Sequence, residues 1–257
     1  NRNTGSNDVK IMQEGARIHR KIQHSMGTMY HAEVPLKIEI PLVSDLGIEY
    51  VLQVEGRADG IIADINYDED GNKEPESDAI IDEIKTMQTD VSLLKEPVYV
   101  HKAQALVYGY IYASQKKLSK IGIQMTYVTP EPETINKFLE EYTFERIEEW
   151  FNKLITGFKR WTDYTFDERH KRTESIRELK FPYEYREGQK NLCVSVYRAI
   201  EDNTNLYIQA PTGVGKTLST VFPAVQALGQ QMSDKIFYLT SKTITRTVAE
   251  DTYAILR

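Results

Sequence analysis

The stretch Ile81-Asp82-Glu83-Ile84-Lys85-Thr86 places carboxylates and a lysine inside an apolar run, and the stretch Gly56-Arg57-Ala58-Asp59-Gly60 precedes it. Apolar runs rich in β-branched residues and bounded by polar, glycine-containing segments are typical of strands. We therefore predict a hairpin with arms at residues 57–65 and 77–85 and a polar loop at residues 66–76. The two arms decide the fold of this part of the chain.

The loop of this hairpin is centred near Gly71, with Asp59 and Glu83 at equal distances on either side of it. In a symmetric hairpin these two residues form a cross-strand pair, with Cβ atoms about 5 Å apart. Side chains alternate along a strand, so Lys85 lies on the same face as Glu83. That face is expected to be buried because it also carries Ile61, Ala63, Ile65 and Ile81.

Two buried carboxylates and a lysine are unfavourable unless an ion or strong partners compensate them, and carboxylate oxygens suit Mg²⁺ or Mn²⁺. A metal ion at this position would activate water against a phosphodiester, with Lys85 orienting that water or stabilising the transition state. The alternative is a surface hairpin with charged side chains, because an Asp followed by a Glu-x-Lys sequence is common by chance. The hairpin alone leaves both interpretations open.

Two further motifs flank the hairpin. Residues 15–19 (GARIH) lie on a predicted helix at residues 8–25, and residues 104–108 (QALVY) lie on a predicted helix at residues 98–115. Together with the hairpin, over residues 7–130, they resemble the RecB-like nucleases of the PD-(D/E)xK superfamily. The resemblance implies a restriction-endonuclease-like α/β core. Some members of that family hold an iron–sulfur cluster through four cysteines, but this chain has only Cys193, which implies the cluster-free form.

The resemblance also assigns roles to individual residues. The implied metal ligands are the side chains of His19, Asp59 and Glu83 and the backbone carbonyl of Ile84. Lys85 is the cation that positions the attacking water. By the same resemblance, Gln104 and Tyr108 lie close to the active site and its DNA; the alternative for Tyr108 is a core residue without a role in binding.

A second strong motif occupies residues 210–217 (APTGVGKT), between a predicted strand at 206–209 and a predicted helix. It matches a phosphate-binding P-loop with alanine in place of the first glycine. Residues 181–189 resemble the adenine-recognising Q motif, and residues 239–247 resemble motif Ia, of superfamily 2 helicases of the XPD/DinG branch. The expected ATP-binding residues are Arg186, Gln189, Thr212, Gly213, Val214, Gly215, Lys216 and Thr217.

The order of predicted elements indicates two domains. Predicted strands at 35–43, 48–55 and 121–128 and a helix-rich segment at 134–179 complete a nuclease domain over residues 1–175. Residues 176–257 are expected to form a truncated RecA-like lobe with a second strand at 235–240. In that branch the iron–sulfur domain, the DEAH box and the second lobe would follow Arg257. We expect weak ATP binding with Mg²⁺, no turnover, and uncovered apolar surface in the partial lobe.

Composition sets broad limits on the partners. The chain has 257 residues, a net charge of −6 and no apolar run long enough to span a membrane, and its single cysteine fits a cytoplasmic protein. Residues 151–190 hold ten lysines and arginines against seven acids, so a basic surface is compatible with the acidic total.

The sequence therefore predicts a metal-dependent DNA nuclease, expected to be an exonuclease that prefers single strands or unwound ends. It would form the N-terminal part of a DNA helicase. The alternative is an inactive nuclease-fold module that binds DNA for the motor, and RNA is an alternative substrate that no residue excludes.

Overall fold

The computed structural model describes residues 4–63, 78–211, 213–241 and 243–257. The predicted hairpin loop, Ile65 and Thr212 lie outside the described residues. The chain divides into two compact units: unit 1 comprises Asn1–Val43 and Gly47–Thr162, and unit 2 comprises Ser44–Leu46 and Asp163–Arg257. This division and the predicted boundary at residues 175 and 176 both fall within one long helix, α3 (Phe144–Arg177). None of the described helices is long and apolar enough to cross a membrane.

Unit 1 is built on a mixed five-stranded sheet. Its strands lie in chain order: β1 (Tyr30–Val43), β2 (Glu49–Ala63), β3 (Ala79–Thr86), β4 (Lys120–Thr129) and β5 (Thr134–Thr143). Strands β3 and β4 are parallel and every other neighbouring pair is antiparallel. A parallel pair requires a crossover connection, which here contains a 3-10 turn (Val91–Leu93) and helix α2 (Tyr99–Lys116).

Helices cover both faces of the centre of the sheet. On one face, Ala105, Leu106 and Ile111 of α2 join the main apolar core with Ile81 and Met125 of the strands. On the other face, helix α1 (Thr4–Ser25) packs Ile18 and Ile22 against Ile84 and Val128. Strand β4 is therefore buried along almost its whole length, as expected for a strand with both faces covered.

The register of the predicted hairpin is confirmed. Gly60 pairs with Asp82 and Ile61 pairs with Ile81, which is the arrangement that is symmetric about Gly71. The predicted helices at 8–25 and 98–115 and the predicted strand at 121–128 are also confirmed. The predicted strand at 48–55 and the first hairpin arm are one continuous strand, β2, because the backbone passes through Gly56 without a turn.

The prediction of a helix-rich segment from residue 134 is wrong for its first ten residues, which form β5. The apolar residues Ile135, Phe138, Leu139 and Tyr142 have the three- and four-residue spacing of a helix face. In the structure their exposure instead alternates along a strand: Phe138 and Tyr142 face inward, whereas Ile135 and Leu139 are exposed. Pairing with β4 along the full length of β5 overrides the helical spacing.

Unit 2 contains helices α4 (Gln189–Glu201), α5 (Lys216–Gly229) and α6 (Thr243–Leu256). The predicted strands at 206–209 and 235–240 are wrong, because neither segment joins a ladder among the described residues. A strand exists only through backbone pairing, and the apolar pattern of these segments supplies none. Their side chains remain uncovered, as expected: Tyr207 is 94% exposed and Leu239 is 89% exposed. The described residues thus form an α/β fold with one mixed five-stranded sheet and six α-helices.

Candidate functional site

Strands β2 and β3 separate immediately beyond the pair Gly60–Asp82, and we call this point the fork. There the carboxylate of Asp59 takes the place of a backbone partner: its Oδ2 accepts a hydrogen bond from the Ile84 N–H at 2.8 Å. The other oxygen, Oδ1, lies 3.7 Å from Nδ1 of His19. Gln23 of α1 donates to the backbone carbonyl of Asp59 at 2.9 Å. Helix α1 and both strands therefore converge on Asp59.

Glu83 lies beside Asp59 and is almost completely buried, with 1% of its surface exposed. Its Oε1 accepts a hydrogen bond from Lys85 Nζ at 2.7 Å, whereas its Oε2 is buried and has no hydrogen-bond partner among the described residues. Burial, followed by repulsion from Asp59, raises the pKa of Glu83 to about 7, although Lys85 and His19 act in the opposite direction. Lys85 binds only one oxygen of this carboxylate. The other oxygen, Oε2, is left without a donor among the described residues and is suited to a cation.

A line of polar side chains extends from Lys85 along helix α2. Lys85 Nζ donates to Oε1 of Gln104 at 3.1 Å, and Nε2 of Gln104 donates to the hydroxyl of Tyr108 at 3.3 Å. Gln104 and Tyr108 are four residues apart and therefore share one face of the helix. Gly56 makes room for this face, since a Cβ atom there would lie 2.5 Å from the Tyr108 hydroxyl oxygen.

The structure thus brings together all seven residues that the sequence assigned to the nuclease site: His19, Asp59, Glu83, Ile84, Lys85, Gln104 and Tyr108. Among the described residues, however, no group of three His, Cys, Asp or Glu side chains stands ready to hold a metal ion. Lys85 binds one oxygen of Glu83. The partnerless Oε2 of Glu83, next to Asp59, nevertheless fits a divalent cation, and metal binding remains a prediction.

The predicted phosphate-binding loop of unit 2 (residues 210–217, called the phosphate loop below) lies next to the predicted adenine-recognising segment. Gly213 and Gly215 have φ angles of 90° and 73°, in the left-handed region that favours glycine, and α5 begins directly afterwards at Lys216. A Cβ atom on Gly215 would lie 2.6 Å from Nε2 of Gln189. The Arg186 guanidinium donates to the Gly213 carbonyl, and the backbone N–H of Arg186 donates to Oε1 of Gln189.

The remaining residues predicted to bind ATP are also on or next to this loop. Lys216 Nζ donates to the carbonyls of Ala210 and Pro211, both at 2.8 Å. Val214 separates the two glycines, and Thr217 is the second residue of α5. The lysine ammonium is therefore held at the loop by neutral carbonyl oxygens, weaker partners than the phosphate oxygens expected there.

Comparison with known proteins finds a sequence match for part of the chain. A stretch of 47 residues is 49% identical to the "Probable ATP-dependent helicase MJ0942" of Methanocaldococcus jannaschii. Part of this chain is similar to an ATP-dependent helicase. The matched stretch covers 18% of this chain and 7% of the helicase, so the relation extends to a small part of that protein only.

The other comparisons add little. No protein-family model matches the chain. The "Crystal structure of SSO0001" is 24% identical and covers 55% of this chain and 58% of that chain, but its TM-score is 0.35, which is too low to support a conclusion about fold or function.

Sequence reasoning missed a second buried carboxylate, Asp82, next to Glu83. It is fully buried and accepts hydrogen bonds from three side chains on other strands, Tyr30, Gln124 and Thr126. Strand alternation places Asp82 on the face opposite Glu83, so it joins a different group of residues. An available signal was the pairing of Asp82 with Gly60, because a glycine inside a strand often marks a close approach.

Proposed function

We propose that unit 1 is a metal-dependent nuclease that hydrolyses phosphodiester bonds in DNA. The observation that carries this proposal is the buried carboxylate of Glu83, which faces Asp59 and has one oxygen bound by Lys85 and the other without a partner in the described part of the chain. Burying such a group is unfavourable for stability. Groups with strongly perturbed pKa values cluster at functional sites, which supports a catalytic role for this arrangement.

The donor set supports Mg²⁺ or Mn²⁺. Asp59, Glu83, His19 and the carbonyl of Ile84 would hold the ion, once Glu83 Oε1 is shared with or released by Lys85. The bound ion would polarise the phosphodiester and lower the pKa of the attacking water.

The chain's own residues would do the rest. Lys85 would neutralise charge that develops on the phosphate oxygens. Gln104 holds the Lys85 ammonium at the site by accepting its hydrogen bond at 3.1 Å. Tyr108, which is partly buried against the main core, would stack against a base or sugar of a single strand. Because Lys85 contacts both Glu83 and Gln104, it links the proposed metal ligands to the proposed DNA contacts.

The partial helicase similarity supports nucleic acid as the partner. We propose residues 1–175 as the nuclease domain and residues 176–257 as the beginning of a RecA-like lobe that binds ATP with Mg²⁺ through Arg186, Gln189 and the phosphate loop. In a protein that combines both activities, unwinding would deliver single strands to the nuclease. With Cys193 as the sole cysteine, the nuclease would work without an iron–sulfur cluster of this chain.

A second candidate function is a DNA-binding module without nuclease activity. The observation that favours it is the ion pair of Lys85 with Glu83, together with the lack of a ready group of three ligands among the described side chains. In that case the lysine would substitute permanently for the metal, and Mn²⁺ would not bind.

Cleavage of labelled DNA in Mn²⁺, Mg²⁺ or EDTA separates the two candidates. The nuclease proposal expects cleavage with either metal, none in EDTA, and none by an Asp59→Ala variant that still binds DNA. The binding-module proposal expects unchanged, metal-independent DNA retention and no cleavage under any condition. Labelled RNA in the same assay shows which nucleic acid is the substrate.

A further inference from the structure

A buried hydrogen-bond network crosses the sheet beneath the fork. Asp82 of β3 accepts from Nε2 of Gln124 at 3.0 Å and from the Thr126 hydroxyl at 2.6 Å on one oxygen, Oδ1. Its other oxygen, Oδ2, accepts from the hydroxyl of Tyr30 at 3.1 Å. We call these four residues the Asp82 network. They connect β1, β3 and β4, so the network must pass over β2.

The network passes over β2 at Gly60. A Cβ atom on Gly60 would lie 2.0 Å from both the hydroxyl oxygen and the Cζ atom of Tyr30, so the tyrosine ring lies directly against the backbone of β2. Gly60 is also the residue that pairs with Asp82 in the last pair before the fork. The hydroxyl and ring of Tyr30 therefore hold both members of that pair at once.

The next residues beyond this pair are Asp59 and Glu83. Their relative position depends on the direction in which β2 and β3 diverge from the pair Gly60–Asp82. Beyond that pair, the Ile84 N–H of β3 donates a hydrogen bond to Asp59 of β2. None of the four network side chains hydrogen-bonds to the carboxylate of Glu83, whose bound oxygen contacts Lys85 instead. An effect of the network on Glu83 must therefore act through the backbone of β3.

We propose that Tyr30, acting through Asp82 and Gly60, is a positioning residue that sets the separation of Asp59 and Glu83 at the fork. The expected effect on the cleavage rate rests on the proposed nuclease function. The expected effect on the separation of Asp59 and Glu83 does not. Tyr30 donates its hydroxyl to Asp82 rather than to a proposed metal ligand, so its loss should misplace the site without removing any of the proposed catalytic groups.

The test is Tyr30→Phe, which removes the hydroxyl and keeps the ring. The matched control is Tyr142→Phe, because Tyr142 is also buried on the sheet and donates its hydroxyl to a carboxylate, Glu140, at 2.9 Å, away from the fork. Amide hydrogen exchange at Ile84 and steady-state cleavage of DNA at several substrate concentrations are measured for the wild type and both variants.

We expect Tyr30→Phe to accelerate exchange of the Ile84 amide about 10-fold, and to lower the maximal cleavage rate about 10-fold to 100-fold with the KM for DNA unchanged. Tyr142→Phe should change neither quantity. Gly60→Ala is a second variant, because it displaces the Tyr30 ring while retaining every hydrogen-bonding group. It should produce both effects, and it decides the question if Tyr30→Phe does not fold.

Unchanged exchange at Ile84 in both fork variants, or an equal acceleration in Tyr142→Phe, would overturn the proposal. A raised KM with an unchanged maximal rate would also overturn it, because that pattern indicates lost DNA binding rather than misplacement. If the wild type cleaves no nucleic acid, the nuclease proposal fails, and exchange at Ile84 alone decides whether Tyr30 holds the fork.

Discussion

Replacing Glu83 by glutamine should stabilise the metal-free protein while abolishing cleavage. The pKa of Glu83 is raised to about 7 from its ordinary value of 4.5, chiefly by burial and by Asp59. Each unit of such a difference corresponds to about 1.4 kcal/mol, so the ionised carboxylate lowers the free energy of unfolding by about 3 kcal/mol above pH 7. Glutamine has nearly the same shape and carries no charge, so Glu83→Gln should recover most of this stability.

The pH dependence has a definite sign. Because the folded chain holds the Glu83 proton more tightly than the unfolded chain, wild-type stability is greatest below pH 4.5 with respect to this group and falls as the pH rises from 4.5 to 7. The free energy of unfolding of Glu83→Gln should not decline over this pH range, because glutamine does not titrate. The difference between the two proteins should therefore be near zero at pH 4.5 and full at pH 8.

Urea unfolding in EDTA, followed by tryptophan fluorescence, measures the effect in unit 1 alone, because both tryptophans, Trp150 and Trp161, lie in that unit. Glu140→Gln is the matched control: the hydrogen bond from Lys102 lowers the pKa of Glu140, so this variant should gain no stability at pH 8. The reasoning is refuted if Glu83→Gln is no more stable than the wild type at pH 8, or if its gain is the same at pH 4.5.

Three further predictions concern the metal, the DNA contact and the nucleotide. Calorimetry should detect Mn²⁺ binding to the wild type and its loss in Asp59→Ala; equal affinity in both would remove the proposed metal site. Tyr108→Ala should weaken single-stranded DNA binding by about 1–3 kcal/mol, through a lost stacking contact, without changing the circular dichroism spectrum; unchanged affinity and cleavage kinetics would make Tyr108 a packing residue only. A fluorescent ATP analogue should bind weakly with Mg²⁺ and more weakly still to Lys216→Ala, because Lys216 lies at the predicted phosphate-binding loop; equal affinity in both proteins would remove the proposed nucleotide site.

The hairpin register could be predicted from the sequence because side-chain alternation fixes which residues share a face. Ile61 and Ile81 had to be buried together, and that requirement also placed Asp59 next to Glu83. The strand nature of β5 could not be predicted this way, since Phe138 and Tyr142 have a spacing that suits a helix as well, and only pairing with β4 decides between the two.

The same limit explains the errors at residues 206–209 and 235–240 and the failure to foresee the Asp82 network. An apolar run indicates a strand only where a partner strand is available to it. Tyr30 and Asp82 are 52 residues apart, and nothing in either local sequence indicates that the tyrosine reaches across Gly60. Contacts between distant segments that depend on side-chain reach, rather than on periodicity, become visible only in the structure.

The central claim is tested most directly by single-turnover digestion of end-labelled single-stranded DNA by the wild type, Lys85→Met and Lys102→Met in Mn²⁺. Lys85 contacts Glu83 and Gln104 at the fork, whereas Lys102 lies on the same helix as Gln104 and pairs with Glu140. We predict cleavage by the wild type and by Lys102→Met, and a loss of about 100-fold or more in Lys85→Met with DNA affinity retained. Cleavage by Lys85→Met at the wild-type rate, or no metal-dependent cleavage by the wild type, would contradict the account.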